Sequence, residues 1–302
     1  MTDIVIHGAS SFIGKNLLRN LQSRNFRLIV LARENSKIDT GDSDISIIRY
    51  NRNIDEIDPA KIHADKPVFF EFCWQGVFGD ERNQIEQITV NIPLIINSVR
   101  FANSIGVKHW IGLGSQAEYG NLNKRISEED VCRPTSLYGK AKLISSDISA
   151  SLCRHYQIEH SWLRLFSVYG PEDNHDWLIP YLVKTMKRNG AVSVTMAEQY
   201  WDYLYIDDMI QALKKLVFSK GIGIVNIGSG KSVQIRTIIE RLKTILKSGS
   251  TINYGAVSYQ KDQVMFMEAD ISRISGLLNW EPEFDIEMGL TRMLNQYIEV
   301  HN

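Results

Sequence analysis

The sequence predicts an α/β protein, with a doubly wound parallel sheet and a smaller mixed α/β lobe toward the C-terminus. Three observations carry that expectation. Short apolar runs alternate with longer amphipathic stretches through the first half, the pattern of parallel strands joined by right-handed crossover helices. A turn with glycines at both ends, Gly8-Ala9-Ser10-Ser11-Phe12-Ile13-Gly14, links the first apolar run to the first amphipathic stretch. After Pro171 the rhythm breaks into short mixed segments.

Taken in order, 3–7, 27–32, 45–50, 68–73 and 109–113 read as strands because each is a short, largely apolar run. Between them, 14–23, 82–104 and 137–156 read as helices, the middle one broken or bent near Pro93. A sixth strand, 160–166, ends at Tyr169-Gly170-Pro171. A helix (179–188), a short strand (192–196), a strand–helix unit (203–218) and a strand at 224–227 follow. A helix from Ile286 to about Val300 closes the chain. Residues 1–170, with 202–230 returning, are expected to form the first lobe, and 171–201 with 231–302 the second.

Composition narrows the function. A formal charge of −1 without a long basic block gives no attraction to nucleic acid or to an anionic membrane surface. No apolar run approaches the roughly 20 residues of a membrane span. Met1-Thr2-Asp3 leads straight into the first strand, leaving no room for a signal peptide. Cys73, Cys132 and Cys153 have no metal-type spacing and cannot all pair within one chain. They read as reduced thiols of a cytoplasmic protein without a metal site.

The Gly8–Gly14 turn suits a dinucleotide. Glycines let the backbone approach a pyrophosphate, and the helix N-terminus adds N–H donors and a favourable dipole. A Rossmann-type sheet with Gly8, Ser10, Ser11, Phe12, Ile13 and Gly14 at the phosphates is the expectation. The end of the second strand selects the cofactor. A carboxylate there would hold the adenine ribose hydroxyl, whereas an arginine accommodates a 2′-phosphate. Arg33 stands at that place, favouring NADPH, with NADH left open because Glu34 is adjacent.

From Gly8 onward the residues resemble the extended short-chain dehydrogenase/reductase family of sugar-nucleotide epimerases, dehydratases and reductases. The resemblance runs nearly end to end, although Ser11 replaces the middle glycine of the signature. Asn91 falls at the family's helix asparagine, a cofactor-binding place by resemblance. Ser115 lies ahead of Tyr119-Gly120 as the active-site serine does, and Tyr138-Gly139-Lys140-Ala141-Lys142 matches Tyr-x-x-x-Lys. Leu163-Arg164, Tyr169-Gly170-Pro171, the 203–208 run, Asn226-Ile227-Gly228-Ser229-Gly230 and Asn279-Trp280-Glu281-Pro282 continue the order.

Tyr138 and Lys142 share one helix face, and an ammonium beside a phenol lowers the phenol's proton affinity. Tyr138 is then expected to exchange a proton with a sugar oxygen, and Ser115 to hydrogen-bond the same oxygen. By resemblance Lys142 also holds the nicotinamide ribose. The neighbouring residues sort the reaction. A 4,6-dehydratase of this family resembles its relatives in an Asp-Glu pair after a threonine, but Gln116 and Ala117 stand there and neither transfers protons. The reductases that also epimerise carry a cysteine and a histidine where Ala117 and Trp177 fall; His175 is a neighbouring loop residue.

Two reactions remain, 4-epimerisation and net 4-ketoreduction, and Arg33 favours the second because net reduction consumes NADPH. Gly114 to Gly120, Trp74-Gln75-Gly76-Val77 and Tyr200-Trp201-Asp202-Tyr203 resemble the NDP-4-keto-6-deoxyhexose 4-reductases of surface-polysaccharide (O-antigen) pathways. The expectation is NADPH-dependent reduction of a dTDP- or CDP-linked 4-keto-6-deoxyhexose. The alternatives are a sugar-nucleotide 4-epimerase and, more distantly, a non-catalytic NADP-binding regulator. Trp74, Gln116, Tyr119, Trp177 and Trp201 are the expected substrate-binding residues, with local packing the competing role for Tyr119. Trp201 and the Tyr259-Gln260 region lack the arginines that many relatives use for the diphosphate. Lys184, Lys187, Arg188 and Lys261 are the substitutes, each also explicable as a solvated surface charge. The family implies a homodimer through the helices at 82–104 and 137–156.

Overall fold

The first half of the chain builds one sheet in the computed structural model, which describes residues 1–22, 25–40, 45–260 and 263–299. In chain order come β1 (Thr2–His7), α1 (Phe12–Leu21), β2 (Phe26–Arg33), β3 (Ile45–Tyr50), β4 (Val68–Glu71), α2 (Glu86–Thr89), α3 (Asn91–Ser104) and β5 (His109–Ser115). Then follow β6 (Lys124–Ile126), α4 (Leu137–Tyr156), β7 (Glu159–Leu165), β8 (Ser167–Tyr169), α5 (Leu178–Met186), β9 (Val192–Val194) and β10 (Tyr200–Tyr205). The remainder is α6 (Ile206–Val217), β11 (Gly223–Ile227), β12 (Ser232–Gln234), α7 (Ile235–Ile245), β13 (Ile252–Tyr254), β14 (Phe266–Ala269), α8 (Ser272–Leu278) and α9 (Ile286–Glu299).

The large sheet runs β11-β7-β5-β4-β1-β2-β3, and its pairs from β7 through β3 are parallel. Its central strands carry apolar runs: Ile4, Val5, Ile6, Leu28 to Leu31 and Val68 to Phe70 are all buried, as both-face coverage by helices requires. Strand order reverses between β1 and β4, whose last residues His7 and Glu71 are paired in register. The crevice beyond the carboxyl ends at such a switch point is where these sheets take ligands.

Two units divide the chain. One holds Met1–Gly120, Asp130–Leu165 and Ile210–Val225; the other holds Asn121–Glu129, Phe166–Met209 and Asn226–Asn302. In the second, β10 pairs with β12, β14 and β8, and β14 pairs with β6. The buried Asp202 carboxylate ties that sheet together by accepting from the backbone N–H of Ser229 (2.6 Å), Gly230 (2.9 Å) and Ala269 (3.0 Å). A buried carboxylate requires such donors.

The structure differs from the sequence reading in particulars. The break before α3 falls at Val90, whose helical backbone joins α2 to α3, not at Pro93. Pro93 is the third residue of α3, where a missing N–H costs nothing because the first turn has no intrahelical acceptor for it. The first unit ends its second segment at Leu165 rather than at Gly170, and 202–209 and 226–230 fall in the second unit, because β10 hydrogen-bonds within the second sheet. Ser23, Lys261 and Val300 lie outside the described residues. Among the described residues no helix is long and apolar enough to cross a membrane.

Candidate active site

The phosphate turn sits at the switch point. Gly8 has φ +88°, and a Cβ there would come within 2.9 Å of the Cys73 nitrogen; only glycine fits both constraints. Ser11, at the family's middle glycine, takes extended backbone (φ −69°, ψ 163°) and caps α1, its Oγ accepting from Gly14 N at 3.1 Å. The replacement therefore supplies a helix cap at a position that needs no positive φ. Ser10 is exposed, and Phe12 and Ile13 open the helix half-buried. A cleft of about 210 Å³ runs from Gly8, Ser10 and Ser11 past Arg33 to Trp74. Its glycine turn, helix N-terminus and basic edge fit a dinucleotide phosphate.

Arg33 is exposed at the end of β2 and lines that cleft. Its loop is held by Arg49 of β3, whose Nη1 donates to the carbonyls of Arg33 (3.0 Å), Glu34 (2.8 Å) and Ser36 (3.1 Å). Beneath the turn, His7 Nδ1 meets Glu71 Oε2 at 2.8 Å and His7 Nε2 meets the Tyr50 hydroxyl at 2.7 Å. Glu71 Oε1 also accepts from Cys73 N at 2.8 Å. Burial opposes charge on His7, but Glu71 and Cys73 raise its pKa well above the usual histidine value. This internally satisfied set brings His7, Glu71 and Cys73 ligand atoms within 4.8 Å of one another, which cysteine spacing alone does not reveal.

The fold brings Ser115, Tyr138 and Lys142 together in the first unit. Ser115 ends β5 and starts a 3₁₀ turn at Gln116–Glu118. Ser136 caps α4 by accepting from Gly139 N at 3.1 Å, so the next residues present their side chains from a fixed first turn. Tyr138 is buried, and burial raises its pKa while a hydrogen bond with Ser115 and the charge of Arg82 pull it down. Lys142 Nζ donates to the Leu113 carbonyl at 2.7 Å and lies 3.6 Å from the Trp74 ring centroid. Burial lowers its pKa to about 7, against the opposing pull of Glu118 and Glu71. The expected ammonium–phenol partnership is looser than the sequence suggested, with Nζ 5.9 Å from the Tyr138 ring centroid. Arg82 is nearer, its guanidinium carbon 4.3 Å from that centroid.

Glu118, which closes the turn after Ser115, is fully buried. It accepts from Ser115 N (2.9 Å), Trp162 Nε1 (3.0 Å) and Arg164 Nε (2.7 Å). Burial disfavours the Arg164 charge, yet Glu118 and Tyr119 hold its pKa above the ordinary arginine value. Glycine at 114 makes this possible, because a Cβ there would lie 2.3 Å from Trp162 Nε1. Tyr119, expected at the substrate, is instead fully buried with its ring 4.6 Å from the Arg164 guanidinium. That is packing at the loop base.

Asn91, expected on the cofactor, is also fully buried. It accepts from Gln75 N (3.0 Å) and donates to Gln75 O (3.0 Å) and Gln87 Oε1 (3.1 Å). These bonds tie the start of α3 to the loop after β4. Trp74 is half-buried on that loop, edge-on to Tyr138 at 6.0 Å between centroids. Gln116 is half-buried beside Ser115. Trp177 and Trp201 belong to the second unit. Trp177 is the exposed residue preceding α5, and Trp201 on β10 donates Nε1 to Val264 O at 3.4 Å. Sequence reasoning missed Arg82 and the Glu118–Arg164 pair. Arg164 left a signal, since a charge inside the apolar run His160-Ser161-Trp162-Leu163-Arg164-Leu165-Phe166 demands a buried partner. Arg82 left none, because only the fold carries it to Tyr138.

Known proteins share this fold and family. Residues 4–228 match the NAD dependent epimerase/dehydratase family. A CDP-abequose synthase of Salmonella muenchen is 30% identical over 97% of this chain and 97% of its own. The UDP-N-acetylglucosamine 4-epimerase of Methanobrevibacter ruminantium M1, solved with UDP-N-acetylmuramic acid, has the same fold: TM-score 0.88, 21% identity, 99% of this chain and 100% of that one. So does the UDP-glucuronic acid 4-epimerase of Bacillus cereus, solved with NAD: TM-score 0.84, 23% identity, both chains fully covered. The chain belongs to the NAD dependent epimerase/dehydratase family, within the extended short-chain dehydrogenases/reductases.

Proposed function

We propose that this chain catalyses NADPH-dependent reduction of the 4-keto group of a dTDP- or CDP-linked 4-keto-6-deoxyhexose. One observation carries the reading. Ser115, Tyr138 and Lys142 gather at the end of β5, while the one acid of the adjoining turn, Glu118, is committed to Arg164 and Trp162. A site so built handles one proton at one oxygen and lacks the free acid–base pair that water elimination needs. The likeness to a CDP-abequose synthase along both full chains supports the same class.

Bound NADPH supplies the hydride for C4. Tyr138 gives its proton to the C4 oxygen, and Ser115 Oγ donates a hydrogen bond to that oxygen as its charge grows. Lys142 carries a hydrogen-bonding ammonium that, by family resemblance, holds the nicotinamide ribose. The Gly8–Gly14 turn takes the pyrophosphate and Arg33 the 2′-phosphate. The second unit, with Trp177 and Trp201, takes the sugar nucleotide, and the enzyme acts as a homodimer.

NADPH oxidation with dTDP- and CDP-linked 4-keto-6-deoxyhexoses tests this, with the product's C4 configuration read by NMR. Net oxidation is expected with at least one sugar, and Tyr138→Phe should reduce the rate by about 100-fold or more. Silence with both sugars overturns the proposal. Interconversion of the C4 epimers of the corresponding 4-hydroxy sugar nucleotides, with no net change in the cofactor, would establish a 4-epimerase instead, and cofactor binding without turnover a non-catalytic regulator.

A further inference from the structure

We propose that Trp74 is a positioning residue for Lys142, its indole face holding the lysine's ammonium by a cation–π contact. This rests on the reading of Lys142 as the holder of the nicotinamide ribose, and names the support that this chain gives it. Lys142 Nζ lies over the Trp74 ring, 3.6 Å from its centroid, well inside the roughly 6 Å within which a cation is drawn to an aromatic face. The rings of Trp162 and Tyr138 stand farther off, at 5.8 and 5.9 Å.

The indole is held in that orientation. Its Nε1 donates to Gln87 Oε1 at 3.0 Å. Gln87 is buried, and its Nε2 donates to the carbonyls of Gly76 (2.6 Å), Glu81 (3.0 Å) and Gln75 (3.1 Å). An amide whose nitrogen faces three carbonyls turns its oxygen the other way, toward the indole. Asn91 Nδ2 donates to the same oxygen at 3.1 Å. Lys142 is fixed in turn by donating to the Leu113 carbonyl of β5 at 2.7 Å. The ammonium thus sits against both a strand carbonyl and the face of a ring that lines the cofactor cleft.

Among the described residues, the charged groups facing Lys142 are Glu118 from the 116–118 turn and Glu71 from the end of β4. Both favour the ammonium, but each is already paired, Glu118 with Arg164 and Glu71 with His7. Burial works against the charge and lowers the lysine's pKa to about 7. An aromatic face attracts a desolvated cation more strongly than an exposed one, so the indole counts for most where water is excluded. Removing that face makes the lysine give up its proton at lower pH, and with it the charge that grips the ribose.

Protein carrying lysine labelled with ¹³C at Cε is titrated by NMR without substrate or cofactor, and the Lys142 resonance is assigned by its loss in Lys142→Arg. In the wild type the Lys142 ε-protons should be shifted upfield by the indole ring current and show through-space cross-peaks to the Trp74 ring. Trp74→Leu keeps the site apolar and should lower the Lys142 midpoint by about one pH unit. Trp74→Phe, which presents a weaker face, should lower it by less. In fluorescence titrations of Trp74→Leu, the pH above which cofactor affinity falls should drop by the same interval for NADPH and NADH alike, because both carry the nicotinamide ribose. An unmoved or raised midpoint in Trp74→Leu with unchanged circular dichroism overturns the inference. So does a loss of cofactor affinity with the midpoint unmoved, which would make Trp74 a direct cofactor contact. Should Trp74→Leu fail to fold, the wild-type cross-peaks decide, and their absence overturns the inference. Absence of turnover on every keto sugar would remove the proposed reaction and leave the titration to judge Trp74.

Discussion

Glu118 carries a carboxylate into a place that no solvent reaches, and three donors neutralise it there. The charge matters because Arg164 is nearly as buried, at 4% exposure. Removing one member of such a pair leaves the other unpaired in a poor solvent, at a typical cost of about 3–5 kcal/mol. Glu118→Gln is therefore expected to lose roughly that much stability in urea unfolding, and to loosen the turn that holds Ser115. A loss below about 1 kcal/mol would mean that Arg164 finds solvent or another acceptor. The same three hydrogen bonds explain why a carboxylate within the active-site turn is not read as a catalytic acid.

At the scale of elements, the proposed preference for NADPH rests on the ends of β2 and β3. Arg33 projects from β2, and Arg49 on the neighbouring strand clamps its loop through three carbonyls, so the guanidinium is presented from an ordered backbone. A charge-assisted contact to a phosphate contributes about 1.5–3 kcal/mol, or roughly 10- to 100-fold in affinity. Arg33→Ala should weaken NADPH by that factor while leaving NADH nearly unchanged, as measured by fluorescence titration with each cofactor. Equal losses for both would place Arg33 away from the 2′-phosphate.

Over the whole molecule, a buried and a half-buried histidine of the first unit, His109 and His160, make stability depend on acid. Burial lowers the pKa of His109 to about 4, helped by the charges of His160 and Lys108, and burial alone lowers His160 to about 4. His109 Nε2 meets Ser161 Oγ at 2.7 Å, and His160 stacks on Trp110 with centroids 5.7 Å apart. Because the folded pKa lies below the unfolded value of 6.5, the unfolded state binds more protons between them. The stabilisation is complete above about 6.5 and is lost as pH falls toward 4, by a few kcal/mol for the two together. The raised carboxylates Asp202 and Asp208 act in the opposite sense, so the comparison is made against a variant. His160→Gln should lose less stability than the wild type between pH 6.5 and 4 in urea titrations; parallel losses would contradict the assignment.

The order of strands and helices in the first half, the glycine turn and the serine, tyrosine and lysine positions are all legible in the sequence. They depend on local periodicity, on backbone space and on residue spacing within one turn or helix, which a linear chain displays. Helix boundaries were less legible: Pro93 looked like a breaker, yet the break lies at Val90, since a proline in a first helical turn offends nothing. Asn91 is placed at the cofactor by family resemblance and Tyr119 is left between pocket wall and packing, and only the structure displays their burial and the partners that tie them to loops. Arg82 over Tyr138, Arg49 beneath Arg33 and Arg164 against Glu118 belong to tertiary structure alone. Each joins residues from different elements, and electrostatic energy depends on distance through space and on exclusion of water, quantities that appear only when the sheet and its helices have closed around them.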